Sequence, residues 1–208
     1  MQKIISLFQR NYDTDRLVRD ELVPGAEWVA DGEGIATRKF DGTCCRIENG
    51  EVWRRYDVKK GRTQPPGFVR AMDPDPVTGH FCGWVPCSRA HPEDRYHFEA
   101  FDTQTRAAIH LGFAGLADGT WELCGPKVQS NPEHFDEHLF VKHGTYKLEE
   151  APRTYDKLRL YFEHMEPDIE GIVWHHPDGR MVKIKARDFG LKRTPDADRT
   201  SATRKDGE

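Results

Sequence analysis

The dipeptide Asn49-Gly50 places the strongest constraint on how this sequence can fold. It separates two runs, 44–47 and 52–56, that contain residues typical of β-strands. Asn-Gly suits the two-residue turn between antiparallel strands, because both residues tolerate positive φ. The sequence therefore predicts a rigid β-hairpin, with Lys39 at its mouth. By pattern alone, Lys39 is either a nucleophile or, as is commoner, a solvated surface lysine.

A second hairpin is predicted where Asp-Gly at 178–179 separates two further strand-like runs. A two-residue turn at this dipeptide places Trp174 opposite Lys183. Because side chains alternate along a strand, Glu170 is then expected on the same face as Lys183 and Lys185. The pattern leaves two interpretations, an exposed face with a weak ion pair or a site that binds a polyanion.

The remaining segments indicate short helices and strands. Capping residues and apolar periodicity predict helices at 13–23 and 153–166. Alternation and flanking turns predict strands at 96–101, 119–126 and 138–144. The Pro- and Gly-rich segment 61–94 is predicted to be a long functional or mobile loop.

Four residues of that loop have side chains that can bind zinc, namely His80, Cys82, Cys87 and His91. Their spacing is irregular and lacks the close Cys-x-x-Cys pair of structural zinc sites. The favoured interpretation is that they are ordinary loop residues, with a zinc site as the alternative.

The composition is that of a globular protein. The 208 residues carry a formal net charge of -4, which argues against a protein that coats nucleic acid through its overall charge but does not exclude a local basic groove. The length predicts one domain, 1–195, and the polar segment 196–208 is predicted to be a flexible tail.

The sequence predicts neither secretion nor a membrane span. No apolar run approaches the roughly 20 residues that cross a bilayer, and the N-terminus lacks the features of a signal peptide. The five cysteines, two of them adjacent at Cys44 and Cys45, do not suggest a regular disulfide framework. A reducing, cytoplasmic location is therefore expected.

Four short motifs follow one another along the chain. They are Lys39-x-Asp41-Gly42, Trp121-Glu122-Leu123-x-Gly125, Glu170-Gly171-Ile172-Val173 and Val182-Lys183-Ile184-Lys185. In this order they resemble motifs I, III, IV and V of the covalent nucleotidyltransferases, the superfamily of ATP-dependent DNA and RNA ligases and mRNA capping enzymes. Arg54-Arg55-Tyr56 occupies the position of the accessory motif between I and III.

Within that superfamily the sequence is most similar to the compact ATP-dependent 5′–3′ RNA ligases, including the vertebrate type. Lys-x-Asp-Gly-Thr-Cys-Cys at 39–45, Arg-Tyr-Asp-Val-Lys-Lys-Gly at 55–61 and Glu-Leu-Cys-Gly-Pro at 122–126 carry this closer resemblance. It implies an α+β nucleotidyltransferase (adenylation) domain with two antiparallel β-sheets flanked by helices, with which the predicted hairpins agree. It also implies three steps: a lysine attacks the ATP α-phosphate, AMP passes to an RNA 5′-phosphate, and the RNA 3′-OH displaces AMP.

The resemblance assigns a role to each matching residue. Lys39 would form lysyl-AMP, with its pKa lowered from about 10.4 by the nearby charges of Lys183, Lys185 and a metal ion. Those two lysines would also stabilise charge that develops on the α-phosphate. The carboxylates expected to hold Mg²⁺ (or Mn²⁺) through its water shell are Asp41, Glu122 and Glu170, with Glu122 alternatively holding the ribose.

The other nucleotide contacts are also implied by the resemblance. Arg54 or Arg55 would bind ribose or an RNA phosphate, and the backbones of Thr37 and Arg38 would read the edge of the base. Phe140 is the candidate for stacking on adenine, and an ordinary core phenylalanine is the alternative.

Two departures from the wider superfamily narrow the expected function. Cys44 stands where many DNA ligases have an arginine, and only about 20 residues follow the last motif, too few for the OB-fold domain of capping enzymes and most DNA ligases. An RNA ligase that joins 5′-phosphate and 3′-OH RNA ends is therefore expected. The alternatives are a guanylyltransferase-type capping enzyme and a non-catalytic protein that binds nucleic-acid ends.

Overall fold

The computed structural model describes residues 4–164 and 168–193, and the predicted flexible tail at 196–208 lies outside them. The chain is of mixed α+β type. Its strands are β1 (Ile5–Ser6), β2 (Phe8–Arg10), β3 (Val18–Leu22), β4 (Ile35–Lys39), β5 (Thr43–Glu48), β6 (Glu51–Val58), β7 (Val69–Arg70), β8 (Phe81–Pro86), β9 (Gly119–Cys124), β10 (Leu139–Lys142), β11 (Gly171–His175) and β12 (Met181–Lys185). Its helices are α1 (Glu27–Ala30), α2 (Arg95–His110) and α3 (Tyr155–His164), with 3₁₀ turns at Pro92–Asp94 and Ala186–Phe189.

The chain divides into two compact units, each built on one sheet. The four-stranded unit comprises Ile4–Phe40 and the described residues from Gly144 onward. The six-stranded unit comprises Asp41–His143. The first motif is therefore divided, because Lys39 belongs to one unit and Asp41 to the other.

The four-stranded unit has strands in the order β1-β12-β11-β4. The pairs β12–β11 and β11–β4 are antiparallel, β1 runs parallel to β12, and β2 and β3 form a separate antiparallel pair. The strand β11 lies between two neighbours, and Ile172 and Trp174 on it are fully buried together with Leu7 and Leu158. This nearly continuous apolar strand forms the centre of the unit's core.

The register of the hairpin between β11 and β12 differs by one residue from the prediction. Lys183 pairs with Val173, whereas Trp174 pairs with Val182. The loop between the strands has three residues, 177–179, instead of two, and Gly179 adopts the left-handed φ of 92° that such a loop requires. The extra loop residue shifts every pair along the hairpin by one position.

The six-stranded unit has strands in the order β10-β9-β5-β6-β8-β7, and all of its pairs are antiparallel. The predicted hairpin is confirmed as β5 and β6, with Asn49 and Gly50 both at positive φ. The helix α2 contributes Ala100 to a core that contains Cys45 and Leu123. This core covers one face of the sheet, and the neighbouring residues along each strand point to the other face.

Several predicted elements are confirmed and others are wrong. The strands predicted at 119–126 and 138–144 are β9 and β10, and the helix predicted at 153–166 is α3, which the structure describes as far as residue 164. The segment 13–23 is a turn followed by β3 instead of a helix, and 96–101 is part of α2 instead of a strand. The segment 61–94 is not one long loop, since it contains β8, which pairs on both sides with β6 and β7.

Sheet partners explain why β8 was not predicted. Local pattern predicts secondary structure only weakly where a strand gains its stability from neighbours that are distant in sequence. No helix within 4–164 and 168–193 has the length and apolar character needed to span a bilayer.

Candidate active site

The register of the four-stranded sheet brings three lysines to one face. Lys39 on β4 and Lys185 on β12 both pair with Gly171 of the central strand. Two residues further along the central strand, Val173 pairs with Lys183 of β12. Paired residues point to the same side of a sheet, so these lysines share a face.

Gly171 lies between Lys39 and Lys185 in the sheet, at a position that has no room for a side chain. A Cβ atom at this position would lie 2.2 Å from the carbonyl oxygen of Ile184 and 2.9 Å from the Cα of Lys185. The glycine is therefore required by close backbone approach. Since it has no side chain, nothing from the central strand stands between the two lysines.

Glu170 immediately precedes β11, and its carboxylate bridges the two lysines. The Nζ of Lys39 lies 2.5 Å from Oε2 of Glu170, and the Nζ of Lys185 donates to Oε1. Glu170 is only 7% exposed. Burial would raise the pKa of Glu170, but the charges and hydrogen bonds of Lys39 and Lys185 lower it below its ordinary value.

This arrangement groups Glu170 with the lysines as the sequence suggested, although through a different register. The carboxylate stays ionised at neutral pH, and two ammonium groups share it. Lys183 adds a further cation to the same face, and ammonium groups are suited to binding a phosphate group. Both oxygens of Glu170, which was expected to hold Mg²⁺ through water, accept hydrogen bonds from lysines.

Thr37 and Arg38 lie on β4 just before Lys39. The Thr37 hydroxyl donates to the carbonyl oxygen of Val173 at 3.1 Å, and the residue is 2% exposed. The N–H of Arg38 donates to the carbonyl oxygen of Tyr146 at 2.8 Å. This N–H, which was expected to read a nucleotide base, is engaged within the four-stranded unit.

Carboxylates surround the dipeptide Asp41-Gly42 in the six-stranded unit. The N–H of Asp41 donates to Oε1 of Glu133 at 2.9 Å, and the N–H of Gly42 donates to Oε1 of Glu122 at 3.1 Å. A Cβ on Gly42 would lie 2.1 Å from the carbonyl oxygen of Leu123, so close approach requires this glycine too. Carboxylate oxygens are the ligands that Mg²⁺ prefers, and these two hydrogen bonds hold Glu122 and Glu133 next to Asp41-Gly42.

Glu133 belongs to none of the motifs, and sequence reasoning missed it. Its only signal in the sequence is an acidic residue in a polar segment between β9 and β10, which is too common to single out.

His143 holds the second oxygen of Glu122, and it was also missed from the sequence. Its Nε2 lies 2.8 Å from Oε2 of Glu122, and its Nδ1 lies 3.0 Å from the Thr120 hydroxyl. Cys44 pairs with Glu122 across the sheet, and its sulfur lies within 4.8 Å of the nearest ligand atoms of Glu122 and His143. Glu122 is therefore fixed from two sides, by a backbone N–H and by an imidazole.

Arg54 and Arg55 point to opposite faces of β6. Arg54 pairs with Cys45, on the face that α2 covers, and its Nε lies 3.1 Å from Oδ1 of the buried Asp94. Arg55 points to the other face, which also carries Glu122 because Glu122 alternates with core residues along β9. Only Arg55 of this pair shares a face with Glu122.

Phe140 lies in the core, as its alternative interpretation predicts. It is 2% exposed and belongs to the cluster beneath α2, opposite Leu123 on the neighbouring strand. The side chain of Gln104 on α2 bonds both the N–H and the carbonyl oxygen of Phe140. The ring is thus enclosed by its own unit and is not presented to a nucleotide.

Comparison with known proteins agrees with the motifs. The chain matches the family RNA ligase 1 over residues 67–205. It is 28% identical to RNA ligase 1 of Danio rerio over 247 aligned positions, which cover 88% of this chain and 76% of the relative. It is 24% identical to RNA ligase 1 of Pongo abelii and of Mus musculus over 219 positions, which cover 76% of this chain and 67% of each relative.

These matches confirm the resemblance to vertebrate-type RNA ligases. The family match includes Glu122, Glu170 and the two lysines of the last motif, and it begins after Lys39. Since it extends over more than half of the sequence, the chain belongs to the RNA ligase 1 family.

Proposed function

We propose that this protein is an ATP-dependent RNA ligase that joins RNA 5′-phosphate and 3′-OH ends. The observation that carries the proposal is the carboxylate of Glu170 between Lys39 and Lys185, in a member of the RNA ligase 1 family. A nucleophilic amine must be held in one position, and the Glu170 carboxylate holds Lys39 in this way. A solvated surface lysine does not require such a carboxylate.

The proposed fold is a nucleotidyltransferase domain. Its support is the placement of the motifs on the strands. Lys39 ends β4, Lys183 and Lys185 lie on β12 of the same sheet, and Glu170 directly precedes β11. Glu122 of motif III lies on β9 of the other sheet. Side chains on strands are positioned more rigidly than those on loops.

In the proposed first step, the ammonium group of Lys39 gives up a proton to solvent, and the neutral Nζ attacks the α-phosphorus of ATP. A phosphorus–nitrogen bond forms, the bond to the β-phosphate breaks, pyrophosphate leaves, and the nitrogen releases a second proton to solvent. The ammonium groups of Lys183 and Lys185 share the face of Lys39 and would offset the negative charge that develops on the α-phosphate oxygens.

Two further transfers complete the proposed reaction. An oxygen of the RNA 5′-phosphate attacks the phosphorus of lysyl-AMP, which frees Lys39 and leaves AMP joined to the RNA through a pyrophosphate bond. The 3′-OH of the second RNA end then attacks the 5′-phosphate. This step forms the phosphodiester and releases AMP, while the hydroxyl proton passes to solvent or to a nearby base.

We further propose that the carboxylates near Asp41-Gly42 hold Mg²⁺ or Mn²⁺. Asp41 and Glu122 would hold the ion through its water shell, with Glu133 as an additional carboxylate. When bound, the ion would neutralise phosphate charge. His143 would keep Glu122 oriented through the hydrogen bond to its second oxygen.

The test of this function is incubation of the full chain with a divalent cation and α-phosphate-labelled ATP or GTP. We expect a covalent adduct from ATP, its decay on addition of 5′-phosphorylated RNA, and a ligated product only when a 3′-OH end is present. An adduct from GTP alone would favour the guanylyltransferase. RNA binding without any adduct would favour the non-catalytic end-binding protein.

The opposite orientations of Arg54 and Arg55 predict opposite effects of their substitution. We expect Arg55→Ala to reduce ligation by about tenfold or more, because one charged hydrogen bond to ribose or RNA phosphate is worth about 1.5–3 kcal/mol, with little change in Tm. We expect Arg54→Ala to lower Tm by several degrees, because it leaves the buried carboxylate of Asp94 without its cation.

Ligation rates and melting curves of both variants distinguish these effects, and each variant is the control for the other. Equal losses of activity at equal Tm in the two variants would contradict the assignment of Arg55 to the substrate-binding face.

A further inference from the structure

Cys87, Asp94 and His97 form a compact group of metal-binding side chains in the six-stranded unit. One ligand atom of each lies within 4.8 Å of the others. Cys87 follows β8, Asp94 ends a 3₁₀ turn, and His97 lies in the first turn of α2. The group is thus placed where α2 begins, and it contains none of the residues assigned to ATP or Mg²⁺.

His97 is buried without a hydrogen-bond partner for its ring. It is 6% exposed, and neither ring nitrogen makes a hydrogen bond to any described residue. An unpaired buried polar group is costly and calls for an explanation. A neutral imidazole offers a nitrogen lone pair of the kind that binds metals.

Asp94 and Cys87 provide the other two ligand types. Asp94 is 1% exposed; one of its oxygens accepts the N–H of Ser88 at 2.9 Å, and the other lies 3.1 Å from Nε of Arg54. Each carboxylate oxygen has two lone pairs, so both retain capacity for a metal. Zn²⁺ binds the thiolate form of cysteine, so binding at Cys87 would release the thiol proton.

We propose that Cys87, Asp94 and His97 bind one Zn²⁺ ion. Thiolate, carboxylate and imidazole suit Zn²⁺ in tetrahedral geometry, with water in the fourth position, whereas Mg²⁺ does not select thiolates. Small side-chain rotations would bring the three ligand atoms to zinc bond lengths of about 2.0–2.3 Å. On binding, a Zn–S bond forms, the thiol proton is released to solvent, and no electron is transferred.

The ion would fasten the end of β8 to the start of α2. The anionic thiolate and carboxylate would balance the charge of Zn²⁺, and the guanidinium of Arg54 would stay beside Asp94. Of the four residues that the sequence offered as possible zinc ligands, only Cys87 belongs to this group. The other two members, Asp94 and His97, come from the 3₁₀ turn before α2 and from the first turn of α2.

The proposal is tested with Co²⁺ and Zn²⁺ on the metal-free full chain. We expect one Co²⁺ per chain with a thiolate-to-cobalt charge-transfer band in the near ultraviolet, loss of that band on addition of Zn²⁺, and a rise in Tm with Zn²⁺. Cys87→Ser should abolish the band and weaken Zn²⁺ binding by at least about tenfold. Cys82→Ser, which replaces another buried cysteine outside the group, should keep both.

The His97→Leu variant separates metal binding from folding. It replaces two unpaired ring nitrogens by an apolar side chain, so it should fold at least as well as the metal-free wild type while losing the metal. Any of three results would overturn the proposal. The wild-type chain could give no thiolate-to-cobalt band, or the band could be retained in Cys87→Ser or His97→Leu. The third result is loss of the band in Cys44→Ser instead.

Discussion

The Lys39→Ala variant is expected to form no covalent adduct with AMP, whereas the wild-type chain gains the mass of one AMP after incubation with ATP and Mg²⁺. The proposed reaction needs one specific amine, and neither Lys183 nor Lys185 is expected to replace it, because both lie on β12, on the other side of the central strand from Lys39. Intact-mass spectrometry measures the adduct directly and does not require knowledge of the physiological RNA.

Two control variants separate loss of the nucleophile from loss of the fold. Lys39→Ala is expected to stay folded, because Glu170 retains Lys185 as its partner. Lys39→Arg keeps a cation beside Glu170 but has no amine of comparable nucleophilicity, so it should also lack the adduct. Lys157→Ala removes an exposed lysine of α3 in the same unit and should adenylate normally. An adduct retained in Lys39→Ala would rule out the proposed nucleophile.

The sequence predicted which residues lie close together better than it predicted the strand pairing that brings them together. The order of the motifs identified Lys39, Glu170 and Lys185, which the structure places in one hydrogen-bonded group. The predicted route to that group was a hairpin with a two-residue turn, and the actual loop has three residues. A dipeptide such as Asp-Gly indicates a turn, but the length of the loop depends on how the strands pair.

Residues without a motif could not be identified from the sequence. Glu133 and His143 reach Asp41 and Glu122 only because β9, β10 and the segment between them fold onto the turn after β4. Phe140 shows the converse case. A phenylalanine on a strand fits either a nucleotide-binding surface or a core, and the position of α2 decides between them.

The Glu170→Gln variant is expected to lose both adenylation and stability. Glutamine has no charge with which to offset the ammonium groups of Lys39 and Lys185, and removing one member of a buried ion cluster costs roughly 3 kcal/mol. For a chain of this length, that loss lowers Tm by roughly 6–12 °C. Adenylation should fall by more than about tenfold, because the amine of Lys39 loses the carboxylate that fixes its position.

The pH dependence of the same variant identifies the cause. Glu170 has a folded-state pKa below its ordinary value of 4.5, so its contribution to stability is present above pH 4.5 and is lost as the pH falls through the folded-state pKa. The difference in Tm between wild type and Glu170→Gln should therefore be largest at neutral pH and shrink in acid. Glu163→Gln, in an exposed ion pair with Arg159 on α3, is the matched control, and its Tm should change by no more than a few degrees. A difference in Tm for Glu170→Gln that stays constant down to strongly acidic pH would mean that packing, and not the charge shared by the two lysines, accounts for the effect.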